Sequence, residues 1–388
     1  MKTPFTTRPP SFDAQAINET IRSALASAGL DTTSGPMRGV TDTIRRALSS
    51  AGMPTAEGVA ATRTDVIDVV ARVVDQAPVM NDEPQGSAGS FDTFEYANPA
   101  GSRAYKLYLP AGVKPSPPLL VMLHGCTQSA DDFAAGTQMN RLADEHGFLV
   151  LYPEQATHAN PSKCWNWFKA QDQVRDAGEP SLIAGIVREV AARQGVDMGR
   201  IFIAGLSAGA AMAVILGQTY PELFAGVGAH SGLPYGSAHD IPSAMAAMKK
   251  GKGRSANIKS APHADASPRR KTTQAVPTIV FHGDRDHTVQ HANGNDIAQQ
   301  ATSAHAACAD TALRVSTERG VSPGGRRYSR TLHVDGGGLT RVESWTVHGA
   351  GHAWAGGSAS GSYTDASGPD ASAEMLRFFL GLPRAGTA

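Results

Sequence analysis

The stretch Gly205-Leu206-Ser207-Ala208-Gly209 sets a serine between two glycines, directly after the apolar run 201–204 and before the small-residue stretch 208–218. A serine hydroxyl is a poor nucleophile at neutral pH, but a sharp strand-to-helix turn lifts it clear of its neighbours. Glycines flank such a turn because a Cβ there would clash. A packing serine within a small-residue helix is the bland alternative, and the strand–turn–helix setting argues against it. A nucleophilic serine needs a histidine to take its proton and a carboxylate to orient that histidine. The chemistry would then be acyl transfer, with acid and histidine following the serine in chain order.

Both partners are present downstream, each in duplicate. "HGDRDHTV" at 282–289 offers Asp284 and Asp286. Asp286 lies further into the loop, where it can turn back towards a histidine, so it is taken as the acid and Asp284 as a turn residue. "TVHGAGHAWAGG" at 346–357 offers His348 and His352. His348 ends a strand, whereas His352 lies in a Gly-rich loop that can reach over the sheet edge to Ser207, so His352 is the expected base.

A tetrahedral intermediate needs two backbone donors for its oxyanion. One is expected from Ala208, the residue after the nucleophile. The other is expected from the loop His124-Gly125-Cys126-Thr127, with Cys126 as donor and Thr127 as its alternative or a substrate contact. His124 is expected to anchor that loop by hydrogen bonding. Trp165, Trp167 and Trp354 lie near the site loops in sequence. Core packing is the default for tryptophan, but Trp354 could wall an acyl or alcohol group, and Trp167 is a second substrate-contact candidate.

The elements that must position these residues alternate. "RAYKLYLP" (103–110) reads as a half-buried strand, and "PLLVMLHG", "FLVLYPEQ", "RIFIAGLS", "LFAGVGAHSG", "PTIVFHGDRD" and "ESWTVHG" read as further strands. Helical stretches at 132–146, 182–194 and 208–218 separate them. The pattern predicts an α/β fold with a mostly parallel central sheet and helices on both faces. Gly336 to Gly338 follow "HVD" and are expected to turn a hairpin.

Residues 1–77 differ in composition and contain a near-repeat, "ETIRSALASAGL" at 19–30 and "DTIRRALSSAGM" at 42–53. Each copy has apolar residues four apart and ends at a glycine, which predicts short amphipathic helices that pack on themselves or another subunit, or rest on an apolar surface. Residues 78–90 read as a linker and 91–384 as the main domain. Within it, 249–271 carries eight Lys or Arg against the lone Asp265 and is expected to be a solvated insertion.

Across all 388 residues, 35 Lys plus Arg balance 35 Asp plus Glu, so no global field favours nucleic acid or an anionic membrane. No apolar run is long enough for a transmembrane helix, and the start lacks an apolar leader, so a cytoplasmic protein is expected. The 13 histidines form no H-E-x-x-H motif and no phosphate loop is present, so neither metal nor cofactor is expected. Of the three cysteines, Cys126 and Cys164 could pair if the protein were exported.

Several stretches together resemble the esterase family of poly(3-hydroxybutyrate) depolymerases, close to feruloyl and acetylxylan esterases. They are "HGCTQSADDFAAGTQMNRLADEHGFLVLYPEQ", "NPSKCWNWF", "RDAGEPSLIAGIV", "IFIAGLSAGAAMA", "HSGLPYG", "VFHGDRDHTV", "GHAWAGG" and "SYTDASGPDASAEMLRFFL". The resemblance spans about residues 91–383. It implies an α/β-hydrolase fold and a serine esterase with Ser207, Asp286 and His352 as its triad and the Cys126 loop in its oxyanion hole. It further implies short-chain polyhydroxyalkanoate or its oligomers as substrate, with feruloyl or acetylxylan esters as the alternative. Many members of the family are secreted with a leader and a polymer-binding module. Lacking both, and carrying the N-terminal repeats, the chain is expected to act on stored polyester, with the repeats as granule contacts. A granule-surface protein with secondary esterase activity is a further possibility, and an oligomer is compatible with the repeats.

Overall fold

A computed structural model of the chain describes residues 89–249, 274–309 and 312–384. The N-terminal near-repeats, the linker up to residue 88 and the basic segment from residue 250 onward lie outside the described residues.

Five short strands in which every residue is buried form the centre of the sheet: β3 (Leu119–Leu123), β4 (Leu149–Pro153), β5 (Ile201–Leu206), β6 (Gly226–His230) and β7 (Thr278–Gly283). Continuous apolar runs of this kind are what strands covered on both faces require. Around them lie the hairpin β1 (Ser90–Asn98) and β2 (Gly101–Leu109) and the meander β8 (Arg314–Val321), β9 (Arg327–Val334) and β10 (Thr340–Val347). The ten strands run in the order β1-β2-β4-β3-β5-β6-β7-β10-β9-β8. The pairs from β4 through β10 are parallel, and both margins are antiparallel. Gly336 to Gly338 do turn the β9–β10 hairpin, where Gly338 N donates to Asp335 O at 3.1 Å. A separate two-stranded ribbon pairs β11 (Trp354–Ala355) with β12 (Thr364–Asp365).

Helices cover both faces. On one face α3 (Gly178–Gln194), α4 (Ala208–Thr219) and α6 (Ala292–Ala309) share a core with the sheet. On the other are α1 (Ala130–Thr137), α2 (Met139–His146) and α7 (Ala371–Leu380). A short α5 (Ile241–Met248) starts at Asp240, whose carboxylate accepts from Ser243 N at 2.8 Å. Helix α4 is buried from Ala208 through Gly217, and its small side chains let it lie close to the sheet.

Two expectations change. The single helix over 132–146 is two helices, because Gln138 adopts a left-handed conformation (φ 56°) that ends α1 and starts α2. The helix expected over 182–194 begins earlier, at Gly178, because the buried Asp172 carboxylate accepts from Glu179 N at 2.7 Å and supplies the first turn with a partner.

The face carrying α7 depends on Phe379, which is fully buried and stacks on Phe202 with ring centroids 4.9 Å apart. Replacing Phe379 by Ala is expected to cost about 3–5 kcal/mol in urea unfolding, the usual range for emptying an aromatic core site. A loss below about 1 kcal/mol would contradict this packing.

Candidate active site

Ser207 stands between β5 and α4 at φ 58° and ψ −118°. A positive φ costs a residue with a side chain on the order of 1–3 kcal/mol, so the surroundings must hold it. Ser207 N donates to His230 O at 2.9 Å, and Ser207 O accepts from Ala211 N at 3.0 Å. Both flanking glycines are sterically required. A Cβ on Gly205 would lie 2.5 Å from the Gly209 carbonyl carbon, and one on Gly209 would run into the Leu123 carbonyl of the neighbouring β3. The turn leaves the serine at the carboxyl end of β5. The Ala208 amide is the first of its helix, with no carbonyl one turn back to receive it.

The residues expected as acid and base, Asp286 and His352, lie on loops beyond β7 and β10. His352 Nδ1 lies 2.7 Å from Asp286 Oδ2, and the carboxylate is fully buried. Asp286 Oδ1 accepts from Thr288 N and Val289 N at 2.9 and 2.8 Å. Burial pushes the Asp286 carboxyl up. Hydrogen bonds from His282 and His352, the charge of His352 and the Val289 amide outweigh that, so its pKa falls well below the ordinary carboxylate range. The carboxylate is therefore held charged against the histidine, which suits the orientation of an imidazole whose Nε2 is left for a proton.

The two residues set aside in the sequence form a pair of their own. Asp284 Oδ2 lies 2.9 Å from His348 Nδ1, and Asp284 Oδ1 accepts from Gly349 N at 2.7 Å. Asp284 is thus more than a turn residue: it binds the end of β10 to the loop after β7.

The loop expected to supply the second oxyanion donor follows β3. Thr127 N donates to Ser162 O at 2.7 Å and Gly125 N donates to Gln128 Oε1 at 2.9 Å, so the amide between them, that of Cys126, is the one with neighbours already committed elsewhere. Cys126 is disulfide-bonded to Cys164. His124 anchors the loop as expected, accepting from Gln155 N at 3.0 Å through Nε2, with Nδ1 2.7 Å from Gly125 O. Beneath the disulfide, the buried Glu179 carboxylate accepts from Asn166 N at 2.7 Å and from Gln155 Nε2 at 2.5 Å, and pairs with Arg103 at 3.2 Å.

The tryptophans are corrected by their burial. Trp354 is 1 % exposed; its Nε1 donates to Ser372 Oγ at 3.0 Å and its ring stacks on His230. It is core beneath the His352 loop rather than a substrate wall. Trp167 is also buried and packs edge-on against Phe168 within the core. Thr127 is exposed, with its hydroxyl 3.2 Å from that of Tyr363. Sequence reasoning passed over Tyr363. It sits at φ 53° in a loop that Asp132 holds by accepting from Ser362 N at 2.9 Å, and no local pattern announces such a long-range clamp.

His230 was also missed. It is fully buried, accepts from Ala355 N at 3.0 Å through Nε2, and is pushed down to about 3 by burial, with His282 and His352 adding to the effect. Among the described residues no cluster of three or more His, Cys, Asp or Glu could hold a metal ion, and no helix is long and apolar enough to cross a membrane.

A mostly parallel sheet with a strained serine turn after a central strand, and with a paired aspartate and histidine on later loops, is the arrangement of an α/β hydrolase. The acetyl xylan esterase from Aspergillus awamori has this fold, with a TM-score of 0.55 at 17% identity, covering 74% of this chain and 98% of that one. The chain belongs to the Esterase PHB depolymerase family, whose model matches residues 103–320, more than half of its length. It is 34% identical over 260 residues to the poly(3-hydroxyalkanoate) depolymerase C of Paucimonas lemoignei, covering 66% of this chain and 59% of that protein. It is 30% identical over 213 residues to acetylxylan esterase A of Aspergillus oryzae, covering 52% of this chain and 66% of that protein. The chain thus spans less than two thirds of either relative.

Two expectations follow from this geometry. The unfolded His230 takes a proton below about pH 6.5, while the folded one stays neutral down to about 3. Between those values the unfolded state binds more protons, so stability falls as pH drops, by at most about 1.4 kcal/mol per pH unit from this group. Urea midpoints at about pH 7 and about pH 4.5 should differ less in His230→Gln than in the parent; an equal difference would refute the assignment. The second expectation concerns the Cys126–Cys164 bond. Denatured without reductant, the protein should yield one titratable thiol, that of Cys308, and three after reduction. Three in both cases would show the bond to be absent.

Proposed function

We propose that the chain is a serine esterase that hydrolyses short-chain polyhydroxyalkanoate, poly(3-hydroxybutyrate), or its oligomers through an acyl-enzyme. The observation that carries the proposal is the strained Ser207 elbow in a chain whose later loops bring Asp286 and His352 within 2.7 Å. In this mechanism His352 Nε2 takes the Ser207 proton as Oγ attacks the ester carbonyl. The Ala208 and Cys126 amides donate to the oxyanion, and the proton passes to the leaving hydroxyacid oxygen. Water then enters by the same route and frees the acyl group. Asp286 stays ionised throughout, consistent with its lowered pKa, and stabilises the imidazolium that forms.

Family membership and the longer match to the depolymerase support the polyester substrate. The shorter match to an acetylxylan esterase supports a carbohydrate ester as the second reading. The disulfide beside the oxyanion loop favours an oxidising compartment over the cytoplasmic expectation.

Amorphous poly(3-hydroxybutyrate), its soluble oligomers and acetylated xylan offered in parallel test the substrate. Release of 3-hydroxybutyrate from the amorphous polymer that disappears in Ser207→Ala is expected; release of acetate alone would replace the polyester reading with the second one. Asp286→Asn should lower turnover by about 10⁴, because the histidine loses its orienting acid, while Asp284→Asn should cost far less. The reverse ranking would assign the acid to Asp284.

A further inference from the structure

A second serine, histidine and aspartate are joined in the bonding order that activates a hydroxyl. Ser329 Oγ on β9 lies 2.9 Å from His348 Nε2, and His348 Nδ1 lies 2.9 Å from Asp284 Oδ2. The remaining carboxylate oxygen of Asp284 accepts from Gly349 N at 2.7 Å. Oxygen, Nε2, Nδ1 and carboxylate therefore follow one another as a nucleophile, base and orienting acid must. The site is open, since the His348 and Asp284 side chains are 40% and 33% exposed.

Its surroundings carry positive charge. Arg319 on β8 pairs directly with Ser329, so the two side chains share one face of the sheet. Arg327, two residues before Ser329 on β9, lies on that face as well. Both arginines are exposed, and neither forms an ion pair with a carboxylate among the described residues. Two unpaired guanidinium groups beside a hydrogen-bonded serine attract a small anionic group and the charge that grows on a carbonyl oxygen.

We propose that Ser329, His348 and Asp284 form a second acyl-transfer site, which takes short soluble esters bearing a carboxylate. His348 Nε2 removes the Oγ proton as the bond from Oγ to the acyl carbon forms. The ester C–O bond then breaks, and the leaving oxygen receives that proton. Water, deprotonated by the same histidine, hydrolyses the acyl-serine and releases the acid. Ser329 lies in a regular strand, with neither a strained turn nor a helix N-terminus beside it, so this site is the slower of the two.

The test uses the full chain carrying Ser207→Ala, so that it does not depend on whether Ser207 is the polyester nucleophile. Mono-p-nitrophenyl succinate is offered as the anionic ester and p-nitrophenyl acetate as its neutral counterpart. The expected result is nitrophenol release faster with the succinate ester, and a succinyl adduct on Ser329 found by peptide mass spectrometry. Adding Ser329→Ala should remove the adduct and lower the residual rate at least about tenfold, in line with loss of an activated nucleophile. Adding Arg319→Gln should narrow the gap between the two esters while the adduct persists. No adduct on Ser329, or a residual rate indifferent to Ser329→Ala, would overturn the proposal. Ser329→Ala alone should leave polyester release unchanged, which shows that the variant folds.

Discussion

The left-handed turn at Ser207 is the constraint around which the centre of the molecule is built. It can exist only if β3 and α4 come close to β5, and that closeness forbids a Cβ at Gly205 and at Gly209. The helix that follows must then be made of small residues, and Ala208, Gly209, Ala210, Ala211 and Ala213 are all buried in it. The next strand holds the turn from the other side, because the His230 carbonyl accepts the Ser207 amide. A strained residue persists where its neighbours over-determine it, and here two strands and a helix do so together.

Neutral histidines tie the surrounding loops to this centre. His124, just after β3, and His230, at the end of β6, are both buried, and each accepts a backbone amide through Nε2, from Gln155 and Ala355 respectively. That role requires the unprotonated ring, and burial enforces it by lowering both pKa values. The Ala355 amide belongs to β11, three residues beyond His352, so His230 joins the serine elbow through its carbonyl and the histidine loop through its ring. The buried carboxylates of Asp286 and Glu179 are each supplied with several donors, as buried carboxylates must be.

The sequence displayed the centre of this fold more clearly than its margins. Strands β3 to β7 read as apolar runs because both their faces are covered, and the pentapeptide at Ser207 carries its own geometric requirement in two glycines. Strands β8 and β9 escaped notice because their residues are mixed: the edge strand β8 carries exposed residues such as Arg314, Thr317 and Arg319, and β9 beside it is mostly half-buried. The break at Gln138 was hidden because the apolar pattern continues across it, from Phe133 to Leu142, while one residue takes an uncommon conformation. Trp354 misled because proximity in sequence to His352 says nothing of direction. The indole turns inward to Ser372 and His230.

The choice between the two aspartates shows what local sequence can and cannot decide. Asp284 and Asp286 are two residues apart, and each binds a histidine from the same later loop, so position along the chain separates them only weakly. Burial separates them strongly. Asp286 is fully enclosed and has two backbone amides on one oxygen, while the other lies 2.7 Å from His352 Nδ1 and 3.4 Å from His282 Nε2. Asp284 is a third exposed, where water competes for its oxygens and screens its charge. A carboxylate orients an imidazole in proportion to how little else can satisfy it. By that measure the enclosed pair holds its imidazole more firmly than the open one.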